Sequence, residues 1–107
     1  MAEVNRRILG MLGFAMRAGK LIIGTELICR AMPNMGKNSV KLVVISAYAS
    51  EATKKKLSCK CEFYKIPSVQ IDIKTEELGS LLGKTYAPAC IGITDVGFAR
   101  EIEKASN

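Results

Sequence analysis

The sequence predicts an α/β fold: a three-layer α-β-α sandwich around a mixed four-stranded sheet. Three features carry that reading. Helical and strand patterns alternate along all 107 residues, the joints between them are short and marked by Gly, Pro, Ser or Asp, and one run, Leu42-Val43-Val44-Ile45, is apolar at four consecutive positions. A strand that is apolar on both faces must be covered on both faces, which requires two helical layers.

The elements follow in order. Asn5 is placed to cap a first helix whose Ile8, Leu12 and Ala15 recur at helical spacing, with Gly19 as a left-handed terminator. Leu21-Ile22-Ile23 is a compact strand stopped by Gly24, and Thr25 is placed to cap a second helix carrying Leu27, Ile28 and Ala31. Pro33, Asn34 and Gly36 close that helix, and Leu42 to Ile45 form the central strand. Ser50 caps a third helix running to about Cys61. After Ile66-Pro67, Val69, Ile71 and Ile73 alternate with Gln70 and Asp72, as in a half-exposed strand. Thr75, Glu76 and Glu77 open a fourth helix in which Leu78, Leu81 and Leu82 share a face before Gly83. Ala89 to Ile93 is the last strand, and Asp95 caps a closing helix with Phe98, Ala99, Ile102 and Ala105 inward. The order α-β-α-β-α-β-α-β-α argues for a mostly parallel or mixed sheet.

Length and composition set the outer limits. One domain spanning residues 1–107, large enough for a core without metal or disulfide staples, is the expectation. No segment resembles a signal peptide or approaches the roughly 20 apolar residues of a membrane span. A reducing cytoplasm is therefore expected, with Cys29, Cys59, Cys61 and Cys90 as free thiols, no membrane partner and a monomeric chain.

Charge points toward a polyanion. The net charge is +6, but residues 1–60 hold eleven basic and three acidic side chains, a net of +8, whereas residues 61–107 hold five basic and seven acidic, a net of −2. On charge alone, a nucleic-acid partner and an ordinary lysine-rich surface both stand.

Catalysis lacks equipment. The chain has no His, the commonest general base and metal ligand, and no GxGxxG, GxxxxGK[ST] or GxSxG sequence. Cys59 and Cys61 lie two apart on a helix and do not face each other, while Cys29 and Cys90 sit in apolar patterns, so neither a zinc site nor a thiol enzyme is favoured. No cofactor is expected. Lys54, Lys55, Lys56 and Lys60 spread around the third helix and read as a solvated face.

The stretch Lys20-Leu21-Ile22-Ile23-Gly24-Thr25-Glu26-Leu27-Ile28-Cys29-Arg30 is different. It places a Gly turn, a helix N-terminus with unpartnered N–H groups and a later cation on one corner, where an RNA phosphate or base edge can dock. A plain capped turn from strand to helix fits the same residues.

The whole pattern resembles the ribosomal protein L7Ae and L30e superfamily, whose members bind kink-turns, and most of all its small bacterial YlxQ-type members. The resemblance rests on Leu12-Gly13 with Arg17-Ala18-Gly19-Lys20, on Gly24-Thr25, and on Lys41-Leu42-Val43-Val44-Ile45. It continues through Tyr64-Lys65-Ile66-Pro67, Glu77-Leu78-Gly79 with Gly83-Lys84, and Ile93-Thr94-Asp95-Val96-Gly97-Phe98-Ala99. It implies RNA binding, with kink-turn or ribosomal RNA as partner and no catalysis, at two places. One is the turn and helix start after the first strand, where an archaeal Gly-x-Asn-Glu-x-x-Lys pattern meets Gly24, Thr25, Glu26, Leu27 and Arg30. Glu26 stands in place of Asn, Leu27 in place of Glu, and Arg30 in place of Lys. The other is the loop before the last strand, Lys84, Thr85, Tyr86 and Ala87, where Tyr86 can pack on an extruded nucleotide or locally. Lys20, Lys37 and Arg30 would neutralise phosphates. The superfamily fold also serves protein partners, so an interaction module with little RNA affinity is the alternative.

Overall fold

The computed structural model describes all residues except 1, 35, 37, 38, 84–87 and 107. Nine elements alternate: α1 (Ala2–Arg17), β1 (Leu21–Ile23), α2 (Thr25–Ala31), β2 (Leu42–Ser46), α3 (Glu51–Tyr64), β3 (Ser68–Ile71), α4 (Thr75–Leu81), β4 (Cys90–Ile93) and α5 (Val96–Ser106). The strands form one sheet in the order β1-β4-β2-β3.

The sheet is mixed, as expected, but antiparallel pairs outnumber parallel ones. Only β2 and β3 run parallel; β4 is antiparallel to both β1 and β2. The cause is topological. The connection through α3 is long enough to return β3 parallel beside β2, whereas α4 carries the chain from that edge back across the sheet, where β4 enters between β1 and β2 in the opposite sense.

Two cores flank the sheet and make the three layers. Leu42 and Val44 of β2, with Ile91 and Ile93 of β4, meet Ile8 and Leu12 of α1, Leu78 of α4, and Ala99 and Ile102 of α5. Val43, Ile45 and Cys90 meet Ile28 of α2 and Leu57 and Cys61 of α3. Side chains alternate across a strand, so the unbroken apolar run of β2 serves both cores at once. All five of its residues are buried. Each large aliphatic side chain removed from water in this way contributes about 1.5–3 kcal/mol.

Local signals set most boundaries. The Ser50 hydroxyl accepts the Thr53 amide at 3.2 Å, and an Asp95 carboxylate oxygen accepts the Phe98 amide at 3.0 Å. Gly19 (φ 69°) and Gly83 (φ 66°) follow α1 and α4 in the left-handed conformation that L-residues with a Cβ avoid. Several expectations need correction. Helix α1 begins at Ala2, so Asn5 lies inside it; Ala and Glu are good helix formers and nothing in Ala2-Glu3-Val4 forces a later start. Helix α3 runs three residues beyond Cys61, ending where Lys65 adopts φ 57°. Ile73 is buried but lies past the end of β3, and Leu81 is 36% exposed because its side chain falls off the inward stripe of α4.

Among the described residues, no helix is long and apolar enough to cross a membrane.

Candidate nucleic-acid interface

The segment after β1 is built by one glycine and one strand. Gly24 has φ 107° and ψ 143°, a conformation open to glycine and strained for other residues. Its amide donates to the Cys90 carbonyl at 3.4 Å, and its own carbonyl accepts the Ile28 amide at 3.1 Å. Gly24 is therefore the cap position of α2. Thr25, expected there, is instead the first helical residue, and its hydroxyl lies 3.3 Å from the Cys90 thiol. Both residues are thus tied to the first residue of β4. Among the described residues no side chain caps α2, so its opening amides have no intrahelical acceptor and no capping oxygen from them.

The floor beneath α2 is Gly92 of β4. A Cβ placed there would sit 3.2 Å from Ile28 Cγ1 and 3.6 Å from both Ile22 Cβ and Val40 Cγ1. Absence of that carbon lets Ile28, fully buried, press the helix onto the sheet. Outward, Glu26 and Arg30 are exposed one turn apart on the same face, and Leu27 is 54% exposed beside them. Arg30 occupies the last turn, where a cation also suits the helix dipole.

The predicted residues do not all share this corner. The Lys20 carbonyl accepts the Thr94 amide at 3.0 Å, so Lys20 stands at the opposite end of β1 from Gly24. Four residues of extended chain separate their alpha carbons by about 13 Å. Lys37 and the segment Lys84, Thr85, Tyr86 and Ala87 lie outside the described residues. Pro88, which follows that segment, is buried two positions before Cys90, the residue that holds Gly24.

Acidic groups gather elsewhere on the same rim. The C-terminal ends of β1, β2 and β3 and the start of β4 all lie at one end of the sheet. Beyond β2 and β3, the exposed Tyr48 phenol is pushed above its ordinary value by a hydrogen bond to Asp72, by that carboxylate's charge and by Glu77. Sheet order places the β3 end three strands from β1, about 14 Å away. That acidic group therefore lies apart from the Gly24 corner.

Two thiols beneath α2 and α3 are held toward the neutral form by burial. Burial pushes Cys61 up to about 11, with Cys29 and Cys90 nearby adding to the effect; burial also raises Cys90, against a hydrogen bond from Thr25. Among the described residues, no group of three or more His, Cys, Asp or Glu side chains is arranged to hold a metal.

Residues 6–103 match the model of the ribosomal protein L7Ae/L30e/S12e/Gadd45 family. The chain belongs to this family. Among its L7Ae-family relatives is the RNA-binding protein YlxQ of Enterococcus faecium, 36% identical over 97% of this chain and 96% of its own. The YlxQ protein of Bacillus subtilis is 35% identical over 86% and 87% of the two chains. Among solved structures, a protein from Bacillus halodurans of unknown function superimposes with a TM-score of 0.81 at 37% identity, covering 92% of this chain and 95% of that one. The Giardia lamblia 15.5kD RNA binding protein shares the L7Ae fold at a TM-score of 0.75 and 16% identity, over 97% and 85% of the two chains.

Sequence reasoning missed the two residues that position this corner. Gly92 carried a signal, since a glycine inside a strand often marks close approach of another element. Cys90 carried none, because its partners Gly24 and Thr25 are more than sixty positions away.

Proposed function

We propose that this chain binds structured RNA, kink-turn motifs in particular, as a ribosome-associated protein that performs no catalysis itself. The observation that carries the reading is the uncapped, glycine-turned start of α2, fixed against Cys90 and flanked by exposed Glu26, Leu27 and Arg30. Support comes from the names of its YlxQ relatives, which are RNA-binding proteins. An archaeal relative from Sulfurisphaera tokodaii, large ribosomal subunit protein eL30, is 30% identical over 83% of this chain. Backbone amides and Arg30 take phosphates or base edges at the corner. Lys84, Thr85, Tyr86 and Ala87 contribute from the segment that returns to β4. Lys20 serves phosphates away from the corner, and Lys37 neutralises further phosphate charge. Leu27 cannot accept a hydrogen bond, so it offers an apolar contact where a polar reader would make a directional one.

The test is a titration against a kink-turn RNA and an unbent duplex of equal length over a range of salt. The wild-type chain should prefer the bent RNA. Arg30→Ala should weaken binding and lower the salt slope by about one; binding of both RNAs by the variant with wild-type affinity and slope would overturn the assignment. The exposure of Leu27 favours a second reading, a protein-docking module. Failure to bind either RNA, together with a stable protein complex lost in Leu27→Ser, would establish it.

A further inference from the structure

We propose that one flank of α3, carrying Lys56, Lys60 and Phe63, is a second RNA contact that holds an unstacked nucleotide on the Phe63 ring and its neighbouring phosphates on the two lysines. The inference rests on the RNA-binding reading above and extends it to a helix that reading does not use.

The helix pattern places these three side chains together. At about 100° per residue, Phe63, Lys56 and Lys60 fall within about 60° of arc, whereas Glu51 and Glu62 lie about 100° or more from Phe63. The flank is therefore acid-free, although the helix as a whole is not. Phe63 is 77% exposed, Lys56 is exposed and Lys60 half-buried. A single exposed aromatic is ordinary on a protein surface. Here the ring is braced: it meets Tyr64 edge-on, with centroids 4.9 Å apart and planes at 87°. Phe14, the other well-exposed phenylalanine, differs, because the Arg17 guanidinium lies over its ring at 5.9 Å.

The platform is rigid as well as charged. Ser50 caps α3 at its start, left-handed Lys65 ends it by donating its amide to the Cys61 and Glu62 carbonyls, and Leu57 anchors its middle in the core. Little ordering is left for an RNA strand to impose. An open aromatic ring beside two cations matches the chemistry of a single-stranded segment, whose bases present π-faces and whose backbone presents one negative charge per nucleotide. Helices α2 and α3 share one layer and one core; α3 starts at the rim of the Gly24 corner and runs away from it, so Phe63 lies about 18 Å along the helix from that rim, a span that a few extended nucleotides of a strand leaving the corner can cover.

The experiment compares a blunt kink-turn RNA with the same kink-turn carrying a short single-stranded uridine extension on either end. Wild type, Phe63→Ala, the double variant Lys56→Ala with Lys60→Ala, and Arg30→Ala are titrated against both, with thermal melts confirming that each variant is folded. Phe63→Ala should bind the extended RNA roughly tenfold more weakly than wild type does and leave the blunt RNA unaffected. The double lysine variant should lower the salt slope on the extended RNA by roughly 1.4. Wild-type behaviour of both α3 variants on the extended RNA, with Arg30→Ala still impaired, would overturn this inference and leave the corner reading intact. Loss of all RNA binding by the wild-type chain would remove both. A protein captured by the wild type and not by Phe63→Ala, with RNA affinities unchanged, would assign the flank to a protein partner and overturn it.

Discussion

Helices α2 and α3 lie side by side over the same face of the sheet and are held in place by opposite means. Helix α3 has 14 residues, a serine cap and a left-handed terminator, so most of its ends are satisfied by its own sequence. Helix α2 has seven residues and no side-chain cap. A helix so short is marginal by itself. Its position is imposed from below, by Gly92 opening room for Ile28 and by Cys90 gripping Gly24 and Thr25. The self-sufficient helix can tolerate a charged outer surface that owes nothing to its stability. The dependent helix leaves its opening amides available, and it is the one the proposed RNA site uses.

That contrast can be broken from the α2 side first. Gly92→Val would place three carbons into the contact among Ile28, Ile22 and Val40, an overpacking that should cost about 1–3 kcal/mol. RNA affinity should fall further than the lost folded fraction accounts for, because the strain lifts α2 off the sheet. Denaturant titration alongside RNA binding separates the two effects, and unaltered affinity per folded molecule would show that the seat of α2 does not matter to the site. A smaller change acts on α3. Ser50→Ala should cost about 1 kcal/mol by removing the cap, with affinity for blunt kink-turn RNA unchanged. A matching loss of RNA affinity would mean that the two helices are coupled more closely than their separate supports imply.

The mildest perturbation is alkaline. Cys61 is raised from 9.0 to about 11 in the folded chain, and Cys90 is raised as well. The folded state favours the neutral thiols, so their contribution is fully present below pH 9 and is lost as pH rises toward 11. The unfolding midpoint should stay level, as far as these thiols set it, between pH 7 and 8 and decline above 9. Cys61→Ala should make that decline shallower, whatever its effect on stability at neutral pH.

Much of the fold was legible because each apolar residue advertised its own surroundings. The run Leu42 to Ile45 announced two covering layers, and Ile8, Leu12 and Ala15 announced an inward stripe; all of these are buried. Strand direction was less legible. It depends on where β4 inserts, and no local residue encodes the crossing of α4. At the candidate site, Gly24 was readable from its chemistry. Thr25 was misread because a cap is defined by backbone dihedrals, and glycine took that role. Lys20 was grouped with Gly24 although the strand read between them, Leu21 to Ile23, holds the two at opposite ends. Phe63 gave no warning, since an aromatic one position before a partly buried Tyr64 looks like core until the third dimension is known.

The insertion of β4 also fixes when this molecule can become itself. Among the described residues strand β1 pairs with β4 alone, Leu21 against Ile93, and these partners are 72 positions apart. As the chain emerges during translation, β1 must wait until the residues of β4 have been made before it acquires this neighbour. Contacts of such long range favour late, cooperative folding. A nascent chain halted at Gly83 would lack Cys90, the residue that holds the Gly24 turn, so competence at that turn arrives only with β4.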